Sequence, residues 1–289
     1  MFEAKHFVER RKRLIQSMGA GVAIIPTSPE ALRNRDSHYA YRFDSYFYYL
    51  TGFMEPEAVL LLVAGDNPKA ILFCRDKDIE REIWDGFRHG PEGAKERFGF
   101  DETYSISRLD ELAPQFMANH PKLFYSLGAD AVWDVRVTSW LNHLRTQARS
   151  GISVPAEVAD VRVWLDEMRL IKSAEEIDVM RRAAHISAQA HIRAMQTTRP
   201  GMMEYEVEAE VLHHFYSNGS RSPAYTSIVA GGANACVLHY VENNQRLSDG
   251  DLLLIDAGCE LEGYASDITR TFPVNGRFNA AQKDIYELV

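Results

Sequence analysis

The chain has 289 residues, 46% hydrophobic and 25% charged, with a net charge of −9; this suits a soluble globular protein of roughly two domains. The acidic balance argues against a nucleic-acid binder, no apolar run approaches the roughly 20 residues of a membrane helix, and Met1-Phe2-Glu3-Ala4-Lys5-His6 lacks the apolar core of a signal peptide. Cys74, Cys236 and Cys259 have no metal-ligand spacing and fit a reducing cytoplasm better than a disulfide framework.

Residues 2–18 read as an amphipathic helix, with Phe7, Val8, Leu14, Ile15 and Met18 at helical spacing and Gly19 as its cap. Strands are expected at 21–25, at the aromatic run Tyr46-Phe47-Tyr48-Tyr49-Leu50, at 58–64, 70–74 and 123–127. Helices are expected around 78–84, 109–120 and 131–148. Strands mixed with helices give an α/β (α+β) domain, assigned to residues 1–170. A second domain is assigned to 171–289. It opens on Ser173-Ala174-Glu175-Glu176, a capping-box signature, followed by a long helix that Pro200-Gly201 stops. A second helix covers 204–216. The chain then turns to strands at 226–230 and 237–240, and a last helix begins at Asn279 and runs to Val289 without a stop signal.

Leu252-Leu253-Leu254-Ile255-Asp256-Ala257-Gly258-Cys259 and Gly263-Tyr264-Ala265-Ser266-Asp267-Ile268-Thr269-Arg270-Thr271-Phe272 read as two halves of a hairpin. A two-residue loop at Leu261-Glu262 would set Asp256 directly opposite Asp267, with Cβ atoms roughly 4.5–5.5 Å apart. Like charges so placed repel. Asp256 would also share its face with Leu252 and Leu254, so its carboxylate would point at an apolar layer, at a cost unless it is paired or ligates a metal. Two divalent cations about 3.5–4 Å apart would remove both costs. The competing reading is a partly exposed hairpin with two solvated aspartates.

His239 follows the apolar pair Val237-Leu238 at an expected strand end, where a histidine is either a structural hydrogen-bonder or a functional group. His213 and His214 are adjacent and make a poor chelate on a helix; His185 and His191 are six apart and fall on different faces. No His-Glu-x-x-His, Walker loop or nucleophile elbow occurs.

Asp256-Ala257-Gly258 together with Ser266-Asp267-Ile268-Thr269-Arg270-Thr271-Phe272-Pro273 resembles the metal-binding hairpin of the pita-bread metallopeptidases. Asn234-Ala235-Cys236-Val237-Leu238-His239-Tyr240 resembles the strand bearing their substrate-contacting histidine. Arg42-Phe43-Asp44-Ser45-Tyr46-Phe47-Tyr48-Tyr49-Leu50-Thr51-Gly52-Phe53 and Glu55-Pro56-Glu57-Ala58-Val59 resemble the aminopeptidase P branch of that family, which acts on Xaa-Pro bonds. The resemblance covers essentially the whole chain. It implies an N-terminal mixed α/β domain followed by the first half of a pita-bread catalytic domain. It also implies a hydrolase that removes an N-terminal residue preceding proline, using a hydroxide activated by two divalent metal ions, Mn²⁺ in this family.

On that resemblance Asp256 is a bidentate ligand to one ion and Asp267 bridges both. His239 hydrogen-bonds the substrate carbonyl and the developing oxyanion, and Tyr225 orients a ligating carboxylate. Trp84, in Ile83-Trp84-Asp85-Gly86-Phe87-Arg88, matches a stretch that reaches a neighbouring subunit's active site in a homo-oligomer; otherwise it is a core aromatic. The family's remaining ligands, one histidine and two glutamates, find no match, which implies a chain truncated at its C-terminus. The partners implied are peptides with N-terminal Xaa-Pro, with neither nucleic acid nor membrane. The alternatives are a prolidase, restricted to Xaa-Pro dipeptides, and a non-catalytic binding protein on the same fold.

Overall fold

A computed structural model describes residues 2–289, which divide into two compact units, Phe2–Ile171 and Lys172–Val289. Among the described residues no helix is long and apolar enough to cross a membrane.

The N-terminal unit opens with helix α1 (Ala4–Met18) and strand β1 (Gly21–Pro26), followed by a small ribbon, β2 (Leu32–Asn34) and β3 (Ser37–His38). Helix α2 (Ser45–Thr51) comes next, then β4 (Val59–Ala64), β5 (Lys69–Cys74), α3 (Ile79–Asp85), α4 (Gly90–Phe98) and β6 (Glu102–Ser105). The unit ends with α5 (Leu109–Met117), β7 (Lys122–Phe124), α6 (Ala131–Thr146), β8 (Glu157–Ala159) and α7 (Arg162–Leu170). Six strands form one mixed sheet in the order β6-β5-β4-β1-β7-β8. β4, Val-Leu-Leu-Leu-Val-Ala, is buried throughout because both faces of the sheet are covered. Leu60 and Leu62 pack with Leu14, Phe47, Phe98 and Leu165 of α1, α2, α4 and α7; Leu61 and Val63 pack with Leu109, Met117, Trp140 and Leu144 of α5 and α6.

The aromatic run is a helix, not the expected strand. Asp44 Oδ1 accepts the Phe47 amide 2.8 Å away, and Gly52 closes α2 in the left-handed region at φ 66°. These caps outweigh the strand preference of the aromatic residues. Arg11, 1% exposed, donates to the carbonyls of Leu50 (2.9 Å), Phe98 (2.8 Å) and Gly99 (2.7 Å). It so caps the ends of both α2 and α4, and burial pulls its pKa down to about 10.

The C-terminal unit begins with α8 (Ala174–Thr197), whose capping box is formed as the sequence predicts: Ser173 N donates to Glu176 Oε2 at 2.8 Å, and Glu176 N to Ser173 Oγ at 3.4 Å. Helix α9 (Glu204–Ser217) packs along α8, joined to it by the Arg193–Glu210 ion pair at 2.6 Å. Five short strands follow as β9 (Ser222–Pro223), β10 (Ile228–Gly231), β11 (Leu252–Asp256), β12 (Cys259–Leu261) and β13 (Tyr264–Ala265), then β14 (Thr269–Pro273) and helix α10 (Ala280–Leu288). Two three-stranded sheets result, β10-β11-β14 and β13-β12-β9. This is a mixed α/β chain.

Candidate metal and substrate site

The hairpin's register is set by its loop. Glu262 and Gly263 both have positive φ, 50° and 79°, the mark of a two-residue type I′ turn. The ladder then pairs Leu261 with Tyr264, Glu260 with Ala265 and Asp256 with Thr269. The bonds Ser266 N to Cys259 O (2.9 Å) and Ala257 N to Ile268 O (3.1 Å) carry the same register between them. The expected loop at Leu261-Glu262 is therefore displaced by one residue, and Asp267 faces Gly258 rather than Asp256. The pairing moves by two residues, so the side chains keep their faces and the two aspartates become diagonal neighbours. Asp256 is half-buried beside the half-buried Leu252 and Leu254, while Leu253 and Ile255 form the fully buried face. Its carboxylate does not enter a closed apolar layer.

Tyr225 brings the pair together. Its hydroxyl donates to Asp256 Oδ1 at 2.5 Å and stands 3.0 Å from Asp267 Oδ1. Burial, then the bonds to the two carboxylates, raise the phenol well above its ordinary range, so it stays protonated. One hydroxyl carries one proton, so two carboxylates converge on a single donor. Such a cluster of hard oxygens with excess negative charge fits a divalent cation of the magnesium and manganese type. It supplies only part of a coordination shell. Among the described residues no group of three or more histidine, cysteine, aspartate or glutamate side chains could hold a metal ion.

Beneath the hairpin, α8 contributes three residues at four-residue spacing. Ala183 O accepts from Cys259 Sγ at 3.4 Å, Ser187 Oγ accepts the Cys259 amide at 3.0 Å, and His191 Nε2 donates to Ala257 O at 3.1 Å. Ser187 also meets Ser266 Oγ at 2.8 Å. Burial lowers the His191 pKa, and because a carbonyl oxygen can only accept, the nitrogen that meets Ala257 O, Nε2, carries a proton. The sequence reading set His191 aside as a metal ligand; its role here is to fix the strand end that carries Asp256. The recurrence of Ala183, Ser187 and His191 on one helical face was the available signal.

His239 lies in an exposed turn after a 3₁₀ helix, Gly232–Cys236, not at the end of a strand. The β10 ladder stops at the Gly231–Leu253 pair because Gly232 turns the chain with φ 54°. Trp84 sits on α3 in the N-terminal unit, 84% exposed, with Ile79, Ile83 and Phe87 also exposed. It is not a core aromatic.

The family model for the aminopeptidase P N-terminal domain matches residues 7–125, and that for metallopeptidase family M24 matches residues 178–289. The Xaa-Pro aminopeptidase of Escherichia coli K12 is 46% identical over 288 residues, 99% of this chain and 65% of the relative. Proline aminopeptidase P II from Yersinia pestis superposes with a TM-score of 0.97 at 48% identity, over 100% of this chain and 67% of that one. Aminopeptidase PepP of Pseudomonas aeruginosa does so with 0.98 at 49% identity, over 100% and 66%. The chain thus spans about two thirds of the length of the relatives it matches. With the two family models matched in succession along its two units, this chain belongs to metallopeptidase family M24 and carries the N-terminal domain of aminopeptidase P.

Proposed function

We propose that this chain serves a metallo-aminopeptidase that releases the N-terminal residue from peptides with proline in second position. The observation that carries the reading is the convergence of Asp256 and Asp267 on the Tyr225 hydroxyl. Asp256 and Asp267 would hold a pair of divalent cations, Mn²⁺ being the family's usual metal. When bound, such a pair supplies a water acidified to the neutral range as nucleophile. The chain's own residues do the rest. Tyr225 orients the two carboxylates. His239, exposed in its turn, donates to the substrate carbonyl and to the oxyanion that develops there. Trp84 offers an exposed indole to substrate, in a homo-oligomer, from a neighbouring copy. The bond before proline is a tertiary amide with no N–H, so a site that attacks the carbonyl without gripping an amide proton suits it. The three free cysteines suit a reducing cytoplasm.

The test uses a protein that carries these residues and spans the full length of the relatives. Bound metal is counted by elemental analysis, and a tripeptide and a dipeptide with proline second are compared. Turnover of the tripeptide is expected. Turnover of the dipeptide alone means a prolidase, and no turnover of either by metal-loaded protein overturns the reading.

A further inference from the structure

We infer that Glu204 is the positioning residue of His239. This rests on the role proposed above for His239.

Glu204 is the first residue of α9 and is fully buried, with 0% exposure. Its carboxylate accepts four hydrogen bonds, two on each oxygen. Oε1 takes the Gly231 amide at 2.8 Å and Asn234 Nδ2 at 3.0 Å. Oε2 takes the Tyr240 hydroxyl at 2.8 Å and the Gln245 amide at 2.9 Å. One oxygen therefore holds the start of the segment 231–245 and the other its end. His239 lies between them, in a turn where its side chain is exposed.

A buried carboxylate is costly unless its lone pairs are satisfied, and four donors satisfy this one. The helix N-terminus adds a favourable field. The main chain repeats the clamp: Glu204 N donates to Gln245 O at 3.0 Å. Space is tight at the other end, where a Cβ on Gly231 would lie 2.6 Å from Leu247 Cδ2.

Tyr240 transmits the constraint. It is the residue after His239, and its ring packs with Ile228 and Ala230 of β10 and with Leu254 of β11. Leu254 is two residues before Asp256 on the same strand face. Burial, then the bond to Glu204, raise the Tyr240 phenol, so it remains a donor. The place of His239 is thus fixed by the flanking Tyr240 and, through it, by Glu204.

Glu204→Gln keeps the shape but replaces one acceptor oxygen with a donor, so one end of the segment loses its anchor. The effect is read in a double-mutant cycle with His239→Ala, on metal-loaded protein spanning the full length of the relatives. Glu204→Gln alone should lower kcat by about 10- to 100-fold, the scale of a misplaced catalytic group, with KM and bound metal nearly unchanged. Added to His239→Ala it should do nothing further, because the group it places is already gone. Full additivity would show a general structural role and overturn the inference while leaving the reading of His239 intact. If His239→Ala does not change kcat, that reading fails, and this inference with it. In the 289-residue chain itself, amide exchange at Gly231 and Gln245 should quicken in Glu204→Gln while β11 keeps its protection; quickening across β11 as well overturns the inference. Should Glu204→Gln not fold, Tyr240→Phe removes one donor and keeps the packed ring. The same non-additivity with His239→Ala is then required.

Discussion

Gly258 and Ser266 meet main chain to main chain: a Cβ on Gly258 would stand 1.8 Å from the Ser266 carbonyl oxygen, 2.5 Å from its carbonyl carbon and 3.0 Å from the Asp267 amide nitrogen. The neighbour is backbone on the opposing strand and cannot swing away. Gly258→Ala must therefore part the hairpin beside Asp267 and draw that carboxylate from Tyr225. We expect a loss of about 1–3 kcal/mol from overpacking, read as a lower urea midpoint, together with weaker metal binding. An unchanged midpoint and unchanged binding would show that the close approach is not required.

Tyr225→Phe should leave the fold intact, since the ring stays and only the hydroxyl goes. Its two carboxylate contacts, at 2.5 and 3.0 Å, disappear. Loss of an outer partner to a ligand commonly costs about 10- to 100-fold in metal affinity or activity. Calorimetric titration with Mn²⁺ measures it, and wild-type affinity would show that the carboxylates need no orienting hydroxyl.

Much of this site could be read from the sequence, and its misreadings have local causes. Asp256 and Asp267 were identifiable because an acidic residue interrupts each of two strand-like runs. Their register depended on the position, to within one residue, of a two-residue loop, and Gly263, which accepts the second left-handed position of a type I′ turn, was the overlooked cue. The α2 segment was misread because aromatic residues favour strands, while Asp44 and Gly52 at its ends favour a helix. His239 was expected on a strand because Val237-Leu238 is apolar; yet those side chains are 54% and 90% exposed. Glu204 carried no warning at all. A glutamate in a first helical turn is ordinary, and only the tertiary fold shows that donors from residues 231–245 close around it.

Asp267→Asn and Asp256→Asn should each remove most activity from a protein spanning the full length of the relatives, because the amide keeps the shape and deletes the charge. His239→Ala should differ in kind. Metal content should hold while kcat falls about 10²- to 10³-fold, the scale for losing an oxyanion donor. Elemental analysis alongside kinetics separates the two classes. Loss of metal in His239→Ala would make the histidine a ligand instead.

The N-terminal unit should show a distinct acid response at Asp160. Arg162 chelates this carboxylate, with Nη2 2.6 Å from Oδ2, and Ser126 Oγ donates to Oδ1 at 2.8 Å. The Arg162 bonds, foremost, lower its pKa from 3.8 to about 2. A depressed folded pKa means the stabilisation is fully present above the unfolded value and is lost as pH falls from about 4 through 2. Asp160 is 38% exposed, so solvent screens the pair and its contribution is about 1 kcal/mol or less. Urea midpoints of wild type and Asp160→Asn should differ at pH 6 and converge near pH 2. A gap that persists at pH 2 would assign the stabilisation to something other than the ionised carboxylate.

The 289-residue chain by itself should bind Mn²⁺ more weakly than micromolar and hydrolyse Xaa-Pro peptides negligibly. Mn²⁺ prefers about six oxygen or nitrogen donors. Asp256 and Asp267 are the two carboxylates gathered by Tyr225, and among the described residues no third histidine, cysteine, aspartate or glutamate joins them. Water would have to fill the remaining positions, and each such position contributes no affinity beyond that of the free aqua ion. Calorimetry with Mn²⁺ and an assay on a tripeptide with proline second test both halves, with Asp256→Asn as the control for non-specific binding. Micromolar or tighter binding with clear turnover, abolished by Asp256→Asn, would mean that ligands from a second copy complete the shell.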